Sequence, residues 1–262
     1  MSPVASPGSA HRREAAPRKA DRVARDLLGR IVRGDLAVGS LLPKEDELAE
    51  HFQVNRSVIR EAIKLLEVHR LVRPVRRRGT EVLSPLSSMS PEVLRVLLSP
   101  RPGVVDRRVL GGFLEIRAAL DVQMTGLAAE RRSAADLRAM DAAVERLGAA
   151  LAAADARAYF TAADELSLAF ARATRNPIFE MLAGWNQMVL VELESVFVMV
   201  RAPTDHHRAA LALLVDRIRA RDADGARKMV TAYHEWATPR LLGAAPARHA
   251  DAALERVMEK LR

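Results

Sequence analysis

Apolar residues between positions 48 and 66 recur at two helical spacings separated by a break. Leu48, Ala49 and Phe52 form one patch, Gln53, Val54 and Asn55 interrupt it, and Ile59, Ala62, Ile63 and Leu66 then line one face of a second helix. Asn55 suits the start of that helix, because its side-chain oxygen can accept from a free backbone N–H. The opposite face carries Arg56, Ser57, Arg60 and Lys64, at i, i+1, i+4 and i+8. A helix held by one apolar face and showing Arg, Ser, Arg and Lys on the other fits the DNA major groove. There Arg grips guanine edges with two hydrogen bonds and Lys sits against phosphate. Residues 73–82 follow as a short basic hairpin carrying Arg76, Arg77 and Arg78, suited to the neighbouring minor groove or backbone. Helix, turn, helix and basic hairpin together predict a DNA-binding module.

Beyond Val82 the pattern changes. Ser84 to Pro91 is rich in Ser and Pro and reads as a linker. From there the chain predicts helix after helix with almost no strand signal. One spans about 106–132, with Leu110, Phe113, Arg117, Leu120, Met124 and Leu127 on a stripe; Ser133 and Asp136 mark the start of the next, to about 153. Further helices are expected over 155–174, 177–200, 205–221 and 223–240. The 177–200 segment shows Ile178, Leu182, Trp185, Val189, Val196 and Val200 on one face, and Leu254, Val257, Met258 and Leu261 form a last amphipathic piece. The expected fold is mainly α: a winged helix-turn-helix with a small β wing, then an all-α antiparallel helical bundle. The organisation reads as an arm at 1–17, a DNA-binding domain at 18–84, a linker and connecting helix at 85–105, an effector-binding bundle at 106–245 and a C-terminal helix at 246–262.

Composition narrows the class. The 262 residues favour two domains, 49% apolar content supports a real core, and 4% aromatics favours helix. The net charge of +8 is uneven, with 17 basic against 11 acidic residues through Ser84 and 24 against 22 after it. The surplus sits with the module that has phosphate to neutralise. Without cysteine there are neither disulfides nor thiolate metal sites, which suits a reducing cytoplasm. No apolar run reaches the ~20 residues of a membrane span, and residues 1–17 lack the hydrophobic core of a signal peptide.

These residues resemble a known family. Ile31, Gly34, Leu36, Gly39, Leu42, Pro43, Glu45, Glu47, Leu48, Ala49, Phe52, Val54, Arg56, Arg60, Glu61, Ala62, Leu71, Val72, Gly79 and Thr80 match the winged helix-turn-helix of the GntR transcription regulators. Lys44 replaces the usual capping Ser. Asp46 stands where many relatives carry a DNA-contacting Arg, and Arg70 and Arg77 take positions that are usually Gly. The bundle resembles the FCD effector domain of the FadR branch through 113–121, 127–131, 171–177 and 218–222. That resemblance implies a cytoplasmic homodimer on a palindromic double-stranded DNA operator, controlled by a small molecule in the bundle.

Many FCD domains hold a divalent cation with one Asp and three His. The matching positions here are Ala163, Ser167, Leu211 and Tyr233, so no metal or other cofactor is expected. Asp164 and His234 lie one residue away, a step of ~100° around a helix. His234, His206 and His207 are read as surface or capping groups.

A metal-free domain with Tyr at position 233 resembles the fatty-acyl-CoA sensors, which implies an acyl-CoA or fatty acid as effector. Ser167, Leu211 and Tyr233 would line the cavity, with Arg117 at its charged end and Met181, Met188, Met199 and Met229 adapting it to a flexible chain. A methionine stripe is also ordinary core. Arg117 interrupts an apolar stripe, so its charge needs a partner: an effector anion, Asp121 or Glu192. The alternatives are a metal-dependent carboxylate or sugar-acid sensor on the same fold, and a constitutive architectural DNA binder. No phosphate loop, Cys nucleophile, HExxH motif or persuasive carboxylate pair points to an enzyme.

Overall fold

In the computed structural model, the structure describes residues 18–100, 104–190 and 202–243, and they divide into two compact units, 1–93 and 94–262. The expected arm at 1–17, the C-terminal helix at 246–262, and Glu192, Val196, Met199 and Val200 lie outside the described residues.

In the first unit α1 (Lys19–Arg33) precedes α2 (Glu45–His51) and α3 (Arg56–Val68), and β1 (Val72–Val75) pairs antiparallel with β2 (Gly79–Val82). Leu27, Leu28 and Ile31 of α1 and Ile59, Ala62 and Leu66 of α3 are buried where the two helices pack, joined by Leu48, Leu71, Val72 and Val82. The break at Gln53 to Asn55 is a helix stop followed by a helix start. Gln53 takes a left-handed φ of 53°, and the Asn55 carboxamide accepts from Val58 N–H at 3.1 Å to open α3. In the wing, Val72 faces Val82 and Val75 faces Gly79, while the backbone at Gly39, Ser40 and Leu42 bonds to Val82 and Thr80 at 2.8 Å. The β hairpin is thus tied along one edge to the segment that leads into α2.

The second unit is all helical: α4 (Pro91–Leu98, which begins in the first unit), α5 (Arg107–Arg131), α6 (Ala134–Ala152), α7 (Ala156–Ala173), α8 (Pro177–Leu190), α9 (Asp205–Arg219) and α10 (Ala223–Gly243). Two- and three-residue links reverse the chain between α5 and α6, α6 and α7, α7 and α8, and α9 and α10. Side chains of Asp106, Ser133, Asp155 and Thr204 accept the free N–H groups that open α5, α6, α7 and α9. Ser133 and Asp136 form the reciprocal cap expected from their spacing.

Leu110, Leu114, Met124, Met140, Leu147, Tyr159, Leu166, Phe170, Leu214 and Ile218 are core residues. Gly126 lets α10 reach across α5: a Cβ there would lie 2.3 Å from Arg227 Nε, and Arg227 bonds Glu130 at 2.6 Å.

Two expectations need correction. Ile178 is 53% exposed rather than part of a buried face, whereas Val189 is buried and Trp185 packs on the core as expected, joined by Ala183. Met181 and Met188 are exposed as well, so they cannot adapt a cavity, whereas Met229 is buried. The sequence of α8 is apolar on nearly every side, so its periodicity did not say which side is covered.

Several helices end on a residue other than glycine in left-handed backbone. Gln53, Arg70, Ala154, Arg175 and Arg221 have φ between 52° and 59°. Arg175 reaches Asp136, and Arg221 donates to Glu130 O at 2.6 Å, so each ties its helix end to another helix. The expected Gly-like positions of Arg70 and Arg77 are real, since Arg77 has φ 60° at the hairpin tip.

Candidate functional site

The first unit exposes basic side chains on two of its elements. Arg56, Ser57, Arg60 and Lys64 are exposed on the side of α3 opposite Ile59, Ala62, Ile63 and Leu66, and Arg76, Arg77 and Arg78 are exposed at the tip of the β1–β2 hairpin. Neutralising one phosphate per cation is what such a face does chemically, while a guanidinium fork can also read a guanine.

The arginines of α3 already have partners. Arg56 pairs with Asp46, and Arg60 Nε donates to Glu45 Oε2 at 2.8 Å, both acids lying in the first turn of α2. Ser57 Oγ donates to Asn55 Oδ1 at 2.8 Å, which leaves its lone pairs to accept from a base edge. In the wing Arg73 pairs with Glu81 at 2.9 Å, opposite it in the register.

The second unit holds a cavity of about 140 Å3 between α5, α7, α8, α9 and α10. Arg117, Ser167, Leu211 and Tyr233 all line it, and Ala163 does too. Three helices therefore bring together the four positions that correspond to metal ligands in related domains. Their donors do not suit a metal: Ala163 and Leu211 have none, and Ser167 and Tyr233 offer only a hydroxyl and a phenol. Among the described residues no group of three His, Asp or Glu side chains is placed to hold an ion.

Sequence reasoning missed part of the lining. His207 and His234 are buried cavity residues rather than surface or capping groups, and Asp164, Asn186 and Gln187 line the same space. His207 Nδ1 shares a hydrogen bond of 2.8 Å with the buried Tyr159 hydroxyl. Gln187 donates to Asp164 O at 2.9 Å. Adjacent residues such as Tyr233 and His234 both reach a cavity when its wall is wider than one helical stripe. The turn of ~100° between neighbours does not exclude the second.

Of the partners open to Arg117, Asp121 is present one helical turn on, at 3.3 Å. His234 Nε2 reaches the same carboxylate oxygen at 3.1 Å from α10. Burial pushes the Asp121 carboxyl up, but the His234 hydrogen bond and the Arg117 charge outweigh it and hold the group below the ordinary carboxylate range. Asp121 is therefore an ionised acceptor, and Nε2 of His234 carries the donated proton. Arg117, Asp121 and His234 form a linked polar wall that can present a cation, an anion and an imidazole to a bound molecule.

A winged helix-turn-helix with exposed basic side chains, joined in one chain to a helical domain with a polar-walled cavity, is the makeup of a transcription regulator. The gntR family of bacterial regulatory proteins matches residues 19–82, and the FCD domain matches 113–235. The chain is 31% identical over 163 residues to the HTH-type transcriptional regulator LutR of Bacillus subtilis (strain 168), covering 62% of this chain and 71% of that protein. This protein belongs to the GntR family and carries an FCD domain.

It is also similar to the galactonate operon transcriptional repressor of Escherichia coli (strain K12), 27% identical over 227 residues, covering 85% of this chain and 96% of the repressor. Among solved structures, Lar, which controls the agr system of Listeria monocytogenes, matches with a TM-score of 0.60 at 17% identity, over 88% of this chain and 100% of that one. That likeness is one of fold. The families and relatives are transcription regulators, not enzymes. Among the described residues no helix is long and apolar enough to cross a membrane.

Proposed function

We propose that this GntR regulator binds a palindromic operator as a homodimer and changes its DNA affinity when a compact, hydroxylated carboxylate enters the FCD cavity. The observation that carries this reading is the Arg117–Asp121–His234 wall inside a cavity of about 140 Å3. Space of that order holds a benzene-sized molecule. The cavity opens on one side, so a long acyl chain would have to run out of it, and the polar wall rather than the volume favours a hydroxylated carboxylate over the acyl-CoA or fatty-acid reading and its FadR-type sensor. Arg117 takes the carboxylate, while Asp164, Asn186, Gln187, Ser167 and Tyr233 meet hydroxyl groups. The galactonate operon repressor among the relatives supports a sugar-acid class of effector.

Arg56, Ser57, Arg60 and Lys64 read the operator, and Arg76, Arg77 and Arg78 hold its backbone or minor groove. Ile178, Met181 and Met188 leave apolar surface exposed on one side of α8, of the kind a subunit interface covers. The ligand acts only if it prefers one arrangement of the DNA-binding heads, and the segment from Ser84 through α4 is the chain's only covalent route between the units. Moving a population from 1:99 to 99:1 takes about 5.5 kcal/mol of differential binding.

The test is a titration of small hydroxycarboxylates, dicarboxylates and acyl-CoAs of rising length against the protein–operator complex. Release by a hydroxycarboxylate and by no acyl-CoA is the expected result. Release that grows with acyl length would restore the fatty-acyl class.

A further inference from the structure

Two adjacent acids stand on the reading face of the first unit. Asp46 pairs with Arg56, and Glu45 Oε2 accepts from Arg60 Nε at 2.8 Å. All four side chains are more than a third exposed, so these pairs add little to folding stability. Two carboxylates beside DNA phosphates also weaken binding to every sequence alike. Their place in the first turn of α2 suits the helix dipole, but that does not call for contacts with the arginines of α3.

Geometry gives those contacts a role. Arg56 is the first residue of α3, at the positive end of the helix where a cation is disfavoured, and Asp46 offsets that. Both carboxylates engage the Nε of their arginine. The remaining end-on edge, made by the two terminal nitrogens, is a fork that can pair with guanine O6 and N7. A long side chain fixed at Nε loses less freedom when that fork closes on a base.

We propose that Asp46 and Glu45 are specificity-determining residues: they brace Arg56 and Arg60 for guanine readout and do not themselves hold DNA. This rests on the reading of α3 as the recognition helix. At position 46 the departure from the family's Arg then trades one direct contact for a better-held neighbour.

The full-length protein first selects its site from a random duplex pool. Affinities for that site and for an unrelated duplex are then measured at one salt concentration for wild type, Asp46→Ala, Asp46→Asn, Arg56→Ala and the Asp46→Ala/Arg56→Ala double variant. Asp46→Ala should weaken the selected site about five- to tenfold while the unrelated duplex binds as well or better, and Asp46→Asn should do the same with less effect. The lost preference should fall at the base pair that Arg56→Ala also relaxes, and the double variant should be no worse than Arg56→Ala alone. Equal tightening on both duplexes, additive losses, or relaxation at a different base pair overturns the brace. The last of these would make Asp46 a direct reader of cytosine. If Arg56→Ala leaves the selected site unaffected, or no site is selected, the recognition-helix reading fails and the brace with it. Melting temperatures identify any loss from unfolding, and the same-sized Asp46→Asn then decides.

Discussion

Asp121 on α5 receives a hydrogen bond from His234 on α10 at 3.1 Å, so an ionised carboxylate fastens two helices at the wall of the cavity in the second unit. Its pKa is lowered on folding, so it contributes stability above the unfolded carboxylate pKa of about 3.9. That stability is lost as pH falls through the lowered folded value. Acid unfolding of the wild type should therefore steepen below about pH 4, and Asp121→Asn should flatten the limb. Asp222, lowered by Gly225 N–H and Arg217, contributes to the same limb and keeps it from vanishing. A calorimetric melting series from pH 3 to 7 on both proteins measures the difference.

Recognition-helix and wing residues should separate by salt. Arg56→Ala or Arg60→Ala should cost ~1–3 kcal/mol on the operator and blur specificity. Arg77→Ala should weaken every duplex alike and reduce the salt slope by about one. Binding isotherms at several salt concentrations, on the operator and on an unrelated duplex, check both.

Filling the cavity should uncouple sensing from DNA binding. Ser167→Phe adds bulk to a half-buried wall position at an overpacking cost of about 1–3 kcal/mol. DNA binding without effector should stay within twofold of wild type, while effector-driven release disappears. Arg117→Ala should weaken the effector and also lower the melting temperature, because it leaves Asp121 with only His234.

Chelation should change nothing. The donor set at Ala163, Ser167, Leu211 and Tyr233 cannot hold a divalent cation, so treatment with EDTA should leave melting temperature, DNA affinity and effector release as they were. One zinc, nickel or manganese per chain in elemental analysis, lost together with stability, would refute this.

How much of this was legible in the sequence depended on what fixes each feature. The first unit was readable because Asn55, the apolar face of α3 and the basic hairpin are local patterns with fixed spacing. The convergence of Ala163, Ser167, Leu211 and Tyr233 on one cavity followed from family register, since no local pattern joins residues 70 positions apart. His207, Asp164, Asn186 and Gln187 were missed for the same reason. A polar residue on a helix gives no sign of whether water or a cavity faces it. Met181 and Met188 misled because methionine marks apolar surface, and coverage of that surface is a tertiary fact. The pairing of Arg56 with Asp46 required the α2–α3 crossing, which spacing alone does not give.

The left-handed helix ends leave unclaimed stability in the chain. Arg175 and Arg221 recover some of their backbone cost through side chains that tie helices together, but Ala154, exposed at the end of α6, has only a methyl group to offer. Removing that methyl with Ala154→Gly relieves about 1 kcal/mol of steric cost in the folded state, partly offset by the freer unfolded chain. A margin of that size covers only part of the cost of a destabilising change in the cavity wall, such as the Ser167→Phe that tests sensing. Ala154 is therefore one of several places where small gains could be gathered before the cavity wall is changed.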